Sequence, residues 1–289
     1  MGDVIVGSQS VLAGIITRAS LRWNYRAIFP DIYVPKDVEP TLAVRTRGAW
    51  LWSRRRGVIT GRAAAALHGA RWVDDATEIE LLWANNHCPE GIVTRRERIA
   101  ADEITWIDGM PVATPARAGL DLGRYLPRNI AVAHLDALAS TTGVTAEEIL
   151  ELTYRYKGRH GVRLCRDAVE LMDAGAQSPQ ETRLRLLLID RGFPPPRTQI
   201  PVADQYGFEF AYLDMGWEDL LIAVEYDGDH HRTDTDQYRW DARRLRKLAD
   251  AGWIVIRVMA GDRNEEVIAW VKQAVARRQR EAMAVKKPA

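Results

Sequence analysis

The sequence predicts an α/β protein of two domains: a mainly helical α+β domain over 1–175, and a mixed sheet flanked by helices in the order αβββαβα over 176–289. Three observations carry this. The chain has 289 residues, enough for two domains of roughly 100–200 residues each. Helix-cap signatures dominate the first part, whereas short apolar strands interleaved with helices dominate the last. Between them Asp173-Ala174-Gly175-Ala176-Gln177 breaks both patterns.

In the first domain Thr17 caps a short helix over 17–22, and 27–35 reads as a turn and a strand closed by Pro35. A helix from near Thr41 carries Trp50 and Trp52 and ends in the basic run Arg54-Arg55-Arg56. Thr60 caps an alanine-rich helix over 61–68, which Gly69 stops. Strand-like segments lie at 78–84, 92–94 and 104–107, the last followed by the hairpin dipeptide Asp108-Gly109. Thr114-Pro115 opens a helix with proline at its first position. Thr145-Ala146-Glu147-Glu148 is a capping box, and a last helix runs over 162–172 after the basic loop 158–161.

In the second domain Ser178-Pro179-Gln180-Glu181 opens a helix to about 190. Strands follow at 197–202, 208–214 and 220–227, then a helix over 236–251, a strand at 254–258 and a helix over 265–280. Strand residues Glu225 and Asp227 are two apart, so they share a face of the sheet. A hairpin around 215–219 would bring strand-terminal Asp214 to them. Three carboxylates at one edge repel unless a cation joins them, and an all-oxygen set suits Mg²⁺ or Mn²⁺. The expectation is a metal site of Asp214, Glu225 and Asp227 with phosphodiesterase chemistry, in which metal polarises the phosphate and acidifies water. Each residue also has a plain structural reading. Asp214 and Asp227-Gly228 fit turns, Glu181 fits helix capping, and Asp241 with Arg244 fits a helical ion pair. The run Arg54–Arg56 fits either phosphate contact or cations at a helix end, and Trp50 and Trp52 fit the core.

Bulk properties narrow the classes. The net charge is +1, so nucleic-acid affinity must come from local clusters. The sequence has no membrane-length apolar run and a poor signal-peptide pattern at its start. The two cysteines, Cys88 and Cys165, lack metal or redox spacing and are expected as buried free thiols. These features fit a cytoplasmic protein.

Over about 178–280 the sequence resembles the PD-(D/E)XK nuclease superfamily, and more closely the domains of unknown function related to very-short-patch-repair endonucleases. The landmarks are Glu181, Asp214, Glu225-Tyr226-Asp227-Gly228, His230-His231, and Asp241-Ala242-Arg243-Arg244 before Gly252-Trp253-Ile254-Val255-Ile256-Arg257. The resemblance implies a metal-dependent endonuclease with Asp214 and Glu225 as ligands. Asp227 stands where the superfamily often has lysine, so His230 or His231 would move the proton or touch phosphate, with Lys247 a weaker substitute. Glu181 would hold metal-bound water, and Arg244 and Lys247 would contact nucleic acid. Over about 10–170, Gly57-Val58-Ile59-Thr60, Ala66-Leu67-His68-Gly69 and Pro111-Val112-Ala113-Thr114-Pro115-Ala116-Arg117 resemble abortive-infection type IV antitoxin proteins, in which a winged helix reads DNA. That resemblance implies a DNA partner, or a protein partner or homodimer, and no membrane. The alternative function is therefore a non-cleaving DNA-binding regulator or antitoxin-like protein with a degenerate nuclease domain.

Overall fold

The computed structural model describes residues 4–85, 87–228 and 235–285, and it is a mixed α/β fold. The chain forms two compact units, Met1–Ala174 and Gly175–Ala289.

The first unit opens with β1 (Ile5–Val6), α1 (Gly7–Leu12), α2 (Arg18–Asn24), β2 (Tyr25–Phe29) and β3 (Ile32–Pro35). The three strands form a small antiparallel sheet in the order β1-β3-β2. Asp31, at the turn between β2 and β3, has φ 61° and caps α1: its Oδ1 accepts from Ser8 N at 2.8 Å and its Oδ2 from the Ser8 hydroxyl. Then come α3 (Leu42–Trp52), β4 (Val58–Thr60), α4 (Gly61–Leu67), β5 (Ile79–Leu82), β6 (Ile92–Arg95), β7 (Ile104–Ile107) and β8 (Met110–Ala113). Strands β4 to β8 make a mixed five-stranded sheet in the order β6-β5-β4-β8-β7. Its centre is β4, a three-residue buried strand too short to betray itself by periodicity. Thr60 precedes α4 as expected, yet its hydroxyl donates to Asp121 Oδ2 at 2.6 Å instead of capping the helix. Helices α5 (Pro115–Tyr125), α6 (Arg128–Thr142), α7 (Ala146–Arg155) and α8 (Val162–Val169) pack mainly on one another. The capping box at Thr145 and Glu148 forms, with bonds of 2.9 and 3.2 Å. Cys165 is buried in this layer, but Cys88 is exposed, which corrects its expected burial.

The second unit runs α9 (Pro179–Asp190), β9 (Arg197–Ala203), β10 (Glu209–Trp217), β11 (Ile222–Asp227), α10 (Thr235–Asp250), β12 (Ile254–Met259) and α11 (Asn264–Val285). The order αβββαβα is therefore present. The sheet is β12-β11-β10-β9, antiparallel except for the parallel pair β11–β12. Apolar side chains bury both faces: Leu184, Leu188, Val224 and Val271 form part of one cluster, Leu213, Ala223 and Leu248 part of another. Among the described residues no helix is long and apolar enough to cross a membrane.

Candidate functional site

The second unit gathers its acidic residues where β10 and β11 separate. The last pairs of that ladder are Trp217↔Ile222, Gly216↔Ala223 and Met215↔Val224. Asp214 therefore sits inside β10, not at the end of a strand before a hairpin. The ladder continues through Met215 and Trp217 because both side chains are core. Asp214 Oδ2 accepts from the Tyr226 backbone N–H at 2.9 Å. Burial pushes its carboxyl up to about 7, and the nearby Glu181 and Glu225 charges add to this while the Tyr226 bond and Arg244 oppose it.

The other carboxylates already have partners. Buried Glu225 receives both Arg244 Nη atoms, at 3.1 and 2.5 Å, and Arg244 Nη2 also donates to the Tyr212 carbonyl at 2.8 Å. Arg257 pairs with Asp227 at 2.7 Å and Asp241 at 3.1 Å. Glu181 serves its own helix end. Its backbone N–H donates to Ser178 Oγ at 3.2 Å, while its carboxylate accepts from Gln177 N and Ser178 Oγ, both at 2.9 Å. Asp214 thus feels the charges of Glu181 and Glu225, whereas Asp227 is held by Arg257.

Among the described residues no three His, Cys, Asp or Glu side chains are grouped to hold a metal ion. The expected Asp214, Glu225 and Asp227 set does not fit Mg²⁺ or Mn²⁺ in this arrangement, because guanidinium groups already occupy two of the three carboxylates. Arg244, expected at nucleic acid, is instead the buried partner of Glu225. Lys247 is exposed, with Nζ 5.4 Å from the Phe210 ring centroid. His230 and His231 lie outside the described residues.

The first unit carries a different surface. Helices α1 and α2 are joined by a short turn and followed by the β2–β3 hairpin, the element order of a winged helix-turn-helix. Thr17 Oγ1 accepts from Ser20 N at 3.0 Å and caps α2, as its sequence suggests. Arg18, Arg22 and Trp23 project from α2 into solvent, and neither arginine has a carboxylate partner among the described residues. Residues 4–30 contain no Asp or Glu. That acid-free stretch is the sequence signal for this surface, and motif-by-motif reading passes over it.

The run Arg54–Arg56 is exposed and likewise lacks acidic partners among the described residues. Arg54 and Arg55 have φ of 57° and 61°, and their N–H groups donate to Leu51 and Trp50 carbonyls at 2.9 and 3.0 Å, closing α3. Arg55 lies over Trp50, 5.9 Å from its centroid. Trp50 is buried and Trp52 packs edge-on against Trp83 at 5.2 Å, so both tryptophans are structural.

A buried ionic network is centred on α5. Arg117 donates to Glu103 at 2.7 Å, Asp121 at 3.0 Å and the Tyr156 hydroxyl at 2.8 Å. Arg124 clasps Glu97 through two 2.7 Å bonds and donates to the His160 carbonyl at 2.7 Å. Each buried charge is matched, the condition under which such groups persist in a core.

Residues 57–174 match the AbiEi antitoxin C-terminal domain. The AbiEi-like stretch holds the five-stranded sheet, α4–α8 and the whole Arg117–Arg124 network. The helix-turn-helix segment and the second unit lie outside it. Two uncharacterized proteins from two strains of Mycobacterium tuberculosis are each 29% identical to this chain over 160 residues, covering 55% of this chain and 59% of theirs. The chain thus aligns with little more than half the length of these curated relatives.

Proposed function

We propose that this protein is an antitoxin-like, DNA-binding regulator that uses its N-terminal helix-turn-helix on duplex DNA and does not cut. The observation that carries this reading is the exposed Arg18 and Arg22 of α2, in a stretch, 4–30, without Asp or Glu, neither having a carboxylate partner among the described residues. Phosphates attract such a surface, and a helix of this size fits a major groove. The AbiEi match supports the antitoxin part, and with it a protein partner. Occupation of Glu225 by Arg244 supports a nuclease-like second unit that has lost its metal.

A second reading is a metal-dependent endonuclease. It is favoured by the crowding of Asp214 with Glu181 and Glu225, an anionic pressure that a divalent ion would relieve. Incubating the full chain with supercoiled plasmid in Mn²⁺ and in EDTA separates the two. The regulator retards plasmid in both buffers and leaves it intact. Nicking in Mn²⁺ that vanishes in Asp214→Ala and Glu225→Ala would establish the enzyme instead.

A further inference from the structure

One face of α9 does more than fill the core of the second unit. Gln180, Arg183, Leu184 and Leu187 stand at i, i+3, i+4 and i+7, so they share one side of the helix. Asn264 and Val267 stand at i and i+3 at the start of α11. Tyr226 and Val258 are ladder partners in the parallel pair β11–β12. These three surfaces line one cavity of about 230 Å³. Glu181, Asp214, Glu225 and Asp227 are not among its lining residues.

The topology of the sheet explains why a cavity opens here. Tyr226 and Val258 lie near the carboxyl ends of their strands. From β11 the chain passes to α10, whose Leu248 packs with Ala223 on one face of the sheet. From β12 it passes to α11, whose Val267 and Val271 pack with Val224 on the other face. Neighbouring parallel strands whose chains leave toward opposite faces leave a crevice beyond their carboxyl ends, and such crevices are where α/β sheets take small ligands.

The lining divides into an apolar interior and a polar rim. Leu184, Val258 and Val267 are buried and Leu187 is partly buried. Gln180, Arg183 and Asn264 are exposed, and none of their side chains has a hydrogen-bond or ion-pair partner among the described residues. Asp262 Oδ2 accepts from the Met259 N–H at 2.7 Å, so that carboxylate serves the turn after β12 and leaves Arg183 as the unpaired charge. Apolar walls suit the faces of a ring. A carboxamide both donates and accepts, as the edge of a heterocyclic base requires. A guanidinium matches a phosphate.

We propose that this cavity binds a nucleoside monophosphate, with the base against Leu184, Leu187, Val258 and Val267, its edge at Gln180 and Asn264, and its phosphate at Arg183. The site belongs to the second unit alone, and it requires neither metal nor cleavage.

Isothermal titration calorimetry of the full chain in EDTA with AMP, GMP, CMP and UMP tests it, beside the matching nucleosides and inorganic phosphate. At least one nucleotide binds, more tightly than its nucleoside and more tightly than inorganic phosphate, and the strongest of the four names the base. Arg183→Gln weakens that nucleotide about tenfold, toward the affinity of its nucleoside. Leu187→Trp fills the cavity and removes nucleotide and nucleoside alike. Circular dichroism melts check the fold of both variants, and Arg183→Gln, a change at an exposed position, keeps the test decisive where Leu187→Trp fails to fold. Binding of none of the four nucleotides overturns the proposal. Inorganic phosphate that binds as tightly as every nucleotide does so too, as does nucleotide affinity that Arg183→Gln leaves unchanged.

Discussion

Arg244 and Glu225 face each other where little water reaches, with side-chain exposures of 14% and 9%. Taking away one member leaves a buried charge uncompensated. Arg244→Ala is expected to destabilise the second unit by about 3–5 kcal/mol, while Arg244→Met with Glu225→Met recovers most of that loss. Urea titrations of Arg244→Ala, Arg244→Met, Glu225→Met and the double methionine variant check it; an additive double variant would contradict the pairing. In the first unit, His134 is held neutral. Burial, with Arg62 adding to it, lowers its pKa from the ordinary 6.5 to about 4. The folded chain then binds fewer protons than the unfolded chain between those values, so its contribution is complete above pH 6.5 and is lost as pH falls toward 4. The ceiling is about 3 kcal/mol. Glu97 extends the acid sensitivity lower. Burial alone would raise its pKa, but bonds from Arg124 and Tyr125 bring it down to about 2. Melting temperatures between pH 7 and 4 should fall, and His134→Gln should flatten that fall. A pH-independent melt in the wild type would refute the assignment.

The end of α3 shows how an element can be closed against its own preference. The place after a helix that needs positive φ is usually glycine, yet Arg54 and Arg55 both occupy that region. Arg54→Gly and Arg55→Gly are expected to stabilise the first unit by about 0.5–1 kcal/mol each, read as a higher melting temperature. A drop would mean that the cation over Trp50 outweighs the backbone strain. At this scale much of the fold was legible. Thr17, Thr114, Thr145 and Ser178 each accept the expected bond at a helix start, because capping is a local property of a few residues. What escaped was long-range. Strand β4 is central through its partners β5 and β8, which lie far away in sequence. Asp214 reads as a strand end until the register shows Met215 and Trp217 continuing the ladder. The acidic residues near the β10–β11 split were also legible, since buried carboxylates in apolar strands stand out. Their arginine partners were not, because Arg244 and Arg257 come from elements whose packing no local pattern fixes.

At the scale of the whole molecule, a net charge of +1 gives no general attraction to polyanions. Affinity for DNA has to arise from the way charge is distributed along the chain, and the acid-free stretches 4–30 and 40–73 are where it is uneven. The most direct measurement is the affinity of the full chain for duplex DNA in EDTA across a salt series, beside Arg18→Glu with Arg22→Glu. The account predicts metal-free retention with log K falling linearly in log salt. In the double variant binding should weaken strongly, and the slope should become shallower by about 2, one for each phosphate that an arginine no longer neutralises. Wild-type retention that needs Mn²⁺, or a double variant that binds duplex as tightly and with the same slope, would contradict it.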